Sequence, residues 1–194
     1  MDKAGVLCRK GEGMDRRQKR TRTEVYAAFA KLLHQEPYSA ITVKEIIDAA
    51  NIGRSTFYQH FATKDDLLNG IADDLFDHVF ITHGLGESHE HSESLTLKEQ
   101  LAHFAYHVKN NPLYAELLTS SSSSFFFGHL KNRLIPYFGD SLRFKDESIP
   151  RDFLIEHAVS SFLTILEYWI QKGMKETPEE LERYFGATLG TILA

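Results

Sequence analysis

TVKEIIDAANIGRSTFYQHFATKDDLL, Thr42 to Leu68, is the stretch whose reading decides the fold. It opens on Thr42-Val-Lys-Glu45, a capping box in which the threonine hydroxyl accepts from the backbone and the glutamate reaches back; Val43, Ile46, Ile47 and Ala50 follow at helical spacing. Asn51-Ile52-Gly53 supplies a tight turn, with two residues that tolerate positive φ and Ile52 as the apolar peg that keeps the turn on the core. A short helix is predicted from about Arg54 to His60. Phe57 and Phe61, four apart, face inward, which leaves Arg54, Ser55, Thr56, Tyr58, Gln59 and His60 largely outward on a helix too short to be explained by burial. Two helices joined by such a turn, the second with a hydrogen-bonding face, form the arrangement that lays its second helix in the major groove of DNA. Thr63 then caps a longer helix, with Asp65 and Asp66 in its first turn and an apolar stripe of Leu67, Leu68, Ile71, Leu75, Phe76 and Val79.

Upstream, a helix from about Arg16 to His34 buries Val25, Phe29, Leu32 and Leu33 and crowds Arg16, Arg17, Lys19, Arg20 and Arg22 at its start. A helix N-terminus is the positive end of the macrodipole, so cations gathered there point to an external anion. The charge of the chain agrees. Residues 1–61 hold 11 Lys and Arg against 7 Asp and Glu, and the remainder holds 11 against 20, so the net charge of −5 hides a basic end suited to a polyanion. Lys10-Gly-Glu-Gly-Met14 reads as the imprint of a ribosome-binding sequence, making Met14 the expected native start; a basic arm that adds non-specific DNA affinity is the alternative.

Downstream, Thr82 to Ser94 is a loop without periodicity. Helices are expected over Thr96–Asn110, Pro112–Leu118 and Ser122–Tyr137, followed by a second loop, Phe138–Pro150. The serine run Ser120–Ser124 reads as a turn and helix start beside Phe125, Phe126 and Phe127. Arg151–Lys172 is apolar nearly all round, a helix buried on more than one side. Thr177-Pro-Glu-Glu180 starts the last helix, which keeps Leu181, Tyr184, Phe185, Leu189 and Ile192 on one face. Strand alternation is almost absent, so the fold class is all-α, with about nine helices.

Several functions are excluded or set aside. The most apolar segment, Phe153–Ile170, carries Glu156, His157 and Glu167, and no run of eighteen residues is free of charge, which argues against a membrane span. The N-terminus lacks a secretory signal pattern and the single Cys8 can form neither an internal disulfide nor a zinc knuckle, so a cytoplasmic protein is expected. No nucleophile, base or metal set has credible catalytic spacing; no enzyme and no cofactor are expected. His83, His89 and His91 share a loop, and His103 and His107 lie four apart on a helix, a spacing that can chelate zinc, but solvated loop residues and a cavity edge are the default readings and no metal is assigned. Gly84-Leu-Gly86 lacks the third glycine and the preceding strand of a dinucleotide loop. Phe104, Tyr106, Tyr114, Phe125, Phe126, Phe127, Phe162, Tyr168 and Trp169 could line an effector pocket, with core packing the default for each.

The run from Thr42 to Leu68 resembles the DNA-binding signature of TetR/AcrR-type regulators, over roughly residues 15–75: the aromatic pair, the Tyr and His between them, and the Lys-Asp-Asp-Leu-Leu helix start. Asn111-Pro-Leu-Tyr114 and the Phe162–Gly173 region resemble the C-terminal domain of a branch that includes regulators of dihydroxyacetone kinase. The resemblance implies a tail at residues 1–14, a helix-turn-helix head at 15–75 and a regulatory and dimerisation body at 76–194. It also implies a homodimer joined through the last two helices, an expectation that the multi-sided helix at Arg151–Lys172 supports on its own. By motif position, Thr42, Tyr58, His60 and Lys64 are the expected phosphate contacts, and Arg54, Ser55, Thr56 and Gln59 the base-edge candidates. Gln59 departs from the commoner Tyr. The expected partners are an operator duplex and a second copy of the chain, with either a small-molecule effector or a protein partner acting on the body. Repression is the family's default mode.

Overall fold

A computed structural model describes residues 16–81, 96–119 and 123–193. The expectations for the tail with Cys8 and Met14, for the loop holding His83, His89 and His91 with Gly84-Leu-Gly86, and for Ser120 to Ser122 lie outside the described residues.

The described residues hold nine α-helices: α1 (Arg16–Gln35), α2 (Val43–Ala50), α3 (Arg54–His60), α4 (Lys64–Phe76), α5 (Leu97–Asn110), α6 (Pro112–Thr119), α7 (Ser123–Ser141), α8 (Arg151–Gln171) and α9 (Pro178–Leu189). The all-α class and the helix-turn-helix head read from the sequence are therefore present. Three helix starts carry complete capping boxes, at Thr42 with Glu45, Thr96 with Glu99 and Thr177 with Glu180, and Thr63 caps α4 by accepting from Asp66 N–H. Each such cap stabilises its helix by about 1 kcal/mol, and together they fix where four of the helices begin.

α1 packs on α2 and α6, α4 on α7, α5 on α9, and α7 and α9 on α8. The core runs unbroken from the head into the body, from Phe29, Ile46, Phe57 and Phe61 through Leu67, Ile71 and Leu75 of α4 to Phe104, Phe162 and Trp169. Every residue of the stripe expected on α4 is buried. Of the nine C-terminal aromatics, Phe104, Phe126, Phe162 and Trp169 are fully buried core residues, and the Trp169 indole N–H donates to the Glu176 carbonyl at 3.0 Å.

α4 runs straight on into a π-helical turn, Asp77–Ile81, with Val79 and Phe80 buried, so the stripe expected through Val79 stays helical. Three local readings need correction. α7 continues through Pro136 to Ser141; Pro136 and Asn132 are both exposed, so the carbonyl that loses its helix donor meets water. α9 stops at Leu189, because the chain turns back to the segment after α7: Lys145 N–H donates to the Ile192 carbonyl at 3.0 Å, and Phe144 and Leu193 form an isolated antiparallel bridge. In the α2–α3 turn only Asn51 is left-handed, at φ 51°; Gly53 sits at φ −74° as the residue before α3, so its φ does not demand glycine.

α8 is the one helix among the described residues long and apolar enough by composition to cross a membrane. It is buried on one side in the single chain, by Leu154, Ala158, Val159, Phe162, Leu163, Leu166, Trp169 and Ile170, rather than all round. Its other side presents Phe153, 60% exposed, and Tyr168, 47% exposed.

Candidate nucleic-acid interface

α3 buries Phe57 alone among its seven residues, and that ring packs against Phe61 at 5.6 Å between centroids. Arg54, Ser55, Tyr58 and Gln59 are exposed, and Thr56 and His60 are half-buried at the margins of the same face. The Arg54 guanidinium lies 5.7 Å from the centre of the Tyr58 ring, one helical turn away, which extends both side chains along the outer face. Burial, and then the nearby Arg22 charge, hold the His60 imidazole below its ordinary range, so it is a neutral donor near neutral pH.

Two expected phosphate contacts have internal work. The Thr42 hydroxyl donates to a Glu45 carboxylate oxygen at 2.7 Å and accepts from Glu45 N–H at 3.3 Å, and the Thr42 N–H donates to the same carboxylate at 2.7 Å. These bonds hold the Glu45 carboxyl below its usual range. The Lys64 ammonium donates to the carbonyls of Tyr38 at 2.5 Å and Ile41 at 2.7 Å, and sits 4.2 Å from the centre of the Tyr38 ring. Tyr38 in turn donates to the Asp65 carboxylate. The start of α4 is thereby tied to the loop that leads into α2.

Arg22 is placed differently from its sequence reading. Instead of joining a cluster of cations awaiting an anion, it is half-buried and donates to both Asp74 carboxylate oxygens, at 3.0 and 2.9 Å, and to the Tyr26 hydroxyl at 2.5 Å. Tyr26 donates to the same carboxylate at 2.9 Å, and burial together with the Asp74 charge pushes its phenol well above the usual range, keeping that proton on. Gly70 permits the approach: a Cβ there would stand 3.3 Å from both the Arg22 guanidinium and the Tyr26 hydroxyl. Arg20 is also paired, with Glu24 at 2.9 Å.

The opposite side of α4 is held by α7. Arg133 donates to Asp73 at 3.0 Å and Asp77 at 2.6 Å with its guanidinium 4.5 Å from the Phe76 ring centre, and His129 lies 2.9 Å from Asp73. Asp73 and Asp74 of α4, with Asp77 at the start of the turn that follows, thus make an acidic rod, gripped by α1 on one side and α7 on the other. Sequence reasoning missed this clasp. Its local signals, Arg22 with Tyr26 and Asp73 with Asp77 at four-residue spacing, were legible; their partners, more than fifty residues away, were not.

Residues 25–71 match the family described as "Bacterial regulatory proteins, tetR family", and residues 96–189 match "Transcriptional regulator C-terminal region". A solved TetR transcriptional regulator from Streptococcus agalactiae is 32% identical, covering 90% of this chain and 96% of that one, with a TM-score of 0.65. The chain belongs to the TetR family of bacterial transcriptional regulators. It is therefore a regulator rather than an enzyme. The uncharacterized HTH-type regulator YxbF of Bacillus subtilis is 36% identical over 77 residues, which are 37% of this chain and only 20% of that protein's length. The dihydroxyacetone kinase operon activator DhaS shares the fold over 90% of this chain and 98% of its own, at 18% identity and a TM-score of 0.55. The matched residues 25–71 of this TetR-family chain take in the helix-turn-helix, with α2 and α3 as the two helices that flank its turn.

Proposed function

We propose that the chain acts as a homodimer on a pseudo-palindromic operator, with α3 of each copy in the major groove and a small molecule setting the affinity. The observation that carries this reading is α3 itself, a helix with one buried residue and a polar outer face, mounted on a clasped α4. Arg54 and Gln59 have the side chains that pair with guanine and adenine edges, and Ser55 and Thr56 can donate or accept beside them. Tyr58 and His60 reach phosphates as hydrogen-bond donors, the Thr42 hydroxyl does so by exchanging its Glu45 bond, and Lys64 uses the one N–H not committed to the Tyr38 and Ile41 carbonyls.

The head is taken as residues 15–75 and the body as 76–194. The outer side of α8 favours a dimer: Phe153, His157, Ser160, Thr164 and Tyr168 recur at helical spacing, with aromatic ends and small central residues that let a partner helix approach closely. An effector can change DNA affinity only by favouring one arrangement of the two heads. α4 is the element able to carry that difference, since it contacts α1 and α7 through separate carboxylates. Such a protein works in the cytoplasm, where the operator is, and repression by occupancy is its expected mode.

Selection of binding sites from random duplexes by the purified protein tests the reading. Enrichment of an inverted repeat, with half-sites separated by about one helical turn or a multiple of it, is the expected result. Recovery of no motif, or of a single asymmetric one, would overturn the dimeric operator.

A further inference from the structure

We infer that His78, His103 and His107 form a binding site for one transition-metal ion of the zinc class, where the π-helical turn after α4 meets α5. His103 and His107 stand one helical turn apart on α5, and His78 comes from the turn Asp77–Ile81. The His107 Nε2 lies 2.9 Å from the His78 Nε2 and 2.6 Å from the His103 Nε2, and the ligand atoms of all three lie within 4.8 Å of one another. The rings meet edge-on, at 84° for His78 with His107 and 71° for His103 with His107, so they converge through nitrogens rather than by stacking.

That convergence asks for a cation. The Nε2 of a neutral imidazole carries either one proton or one lone pair, so the His107 Nε2 cannot serve both neighbours in good geometry. A metal ion resolves the conflict by accepting three lone pairs at once. At a zinc–nitrogen distance of about 2.0–2.1 Å in tetrahedral geometry the nitrogens stand about 3.4 Å apart, so the two close pairs open by about 0.5–0.8 Å, a change within the reach of side-chain torsions. A set of three imidazoles without thiolate suits zinc, cobalt, nickel or copper and disfavours magnesium and calcium. All three side chains are half-buried, which shelters the ion from bulk solvent.

π-helical turns are rare, occur mostly as single-turn insertions in α-helices, and are frequent at functional sites. Here the turn is the direct continuation of α4, whose Asp74 holds Arg22 of the head. An ion bound to His78, His103 and His107 joins the end of α4 to α5 and so favours one position of the rod. This coupling rests on the proposed DNA-binding function; the metal site itself does not.

The test titrates the full-length, chelator-treated protein with cobalt(II), read by its visible absorption, and with zinc(II), read by calorimetry. One ion per chain is expected, with the intense cobalt bands of a tetrahedral site. His78→Gln, His103→Gln and His107→Gln should each weaken binding by more than about 100-fold, beyond what loss of an outer-shell partner costs in zinc sites, while His34→Gln leaves it unchanged. Thermal melting of the metal-free variants at the wild-type temperature shows that the fold is intact. Equal binding by the three variants, or the absence of any stoichiometric binding, would overturn the site. Operator affinity with and without zinc addresses the coupling: a zinc-dependent change in wild type that is absent from His107→Gln supports it, and stoichiometric zinc binding with unchanged DNA affinity refutes it. If no form of the protein binds DNA, the cobalt titration still decides the site.

Discussion

His60 and Lys64 show how a residue type can be right and its chemistry incomplete. His60 is neutral because burial, and next the Arg22 charge, depress its pKa below the ordinary 6.5. A phosphate oxygen at its ring would raise that pKa in the complex, so DNA binding takes up a proton. Operator affinity should rise as pH falls from about 7.5 to about 6, the ordinary range of histidine titration, and the rise should vanish in His60→Gln; equal pH profiles for the two proteins would remove His60 from the interface. Lys64 has two of its three N–H groups on backbone carbonyls. Lys64→Ala is therefore expected to cost about 1.5–3 kcal/mol of stability in a denaturant melt. It should also lower the salt dependence of DNA binding by about one phosphate contact. A stability loss with no change in salt slope would leave Lys64 as a purely internal brace.

α4 is where function and stability meet. Asp73, Asp74 and Asp77 each grip a cation on a neighbouring helix, and none of these pairs is deeply buried, so each contributes modestly while the set fixes the rotation of the rod. Arg133→Ala is expected to lower thermal stability by about 1 kcal/mol and to blunt any effector response more than it lowers operator affinity; loss of both in equal measure would mean that the clasp supports only the fold. α8 makes a separate demand. Phe153 and Tyr168 stand exposed at the ends of its outer side, and Thr164→Arg should convert the dimer to a monomer in sedimentation measurements while leaving the helical content intact. A wild-type monomer would overturn the proposed dimer, and a Thr164→Arg variant that remains dimeric would place the contact elsewhere.

Within one chain the helices were legible because their signals are local: threonine caps, Asn51 in the turn, Pro178 at a helix start and apolar residues at helical spacing. The outward face of α3 was legible for the same reason, since Phe57 and Phe61 leave the rest no inward option. What escaped depends on distance in the chain. Arg22 was read as a surface cation because its partner, Asp74, lies 52 residues on, and the three-histidine cluster showed only its α5 pair until His78 was folded against it. α9 ended early through pairing with the segment after α7, again a contact between distant residues. Of the basic end, Arg22 is spent on Asp74 in the acidic remainder, whereas Arg20 pairs with Glu24 inside the basic end and leaves its net charge as counted.

The most direct test of the regulator reading compares the purified protein with an Arg54→Ala/Tyr58→Ala double variant, on the DNA upstream of its own gene and on a random duplex, over a range of salt concentrations. Tight binding that prefers the upstream duplex, weakens steeply with salt and collapses in the variant is predicted, the lost base contact alone costing about 1–3 kcal/mol. Equal, weak binding of both duplexes by both proteins would contradict the assignment of the exposed face of α3 as the surface that reads this DNA.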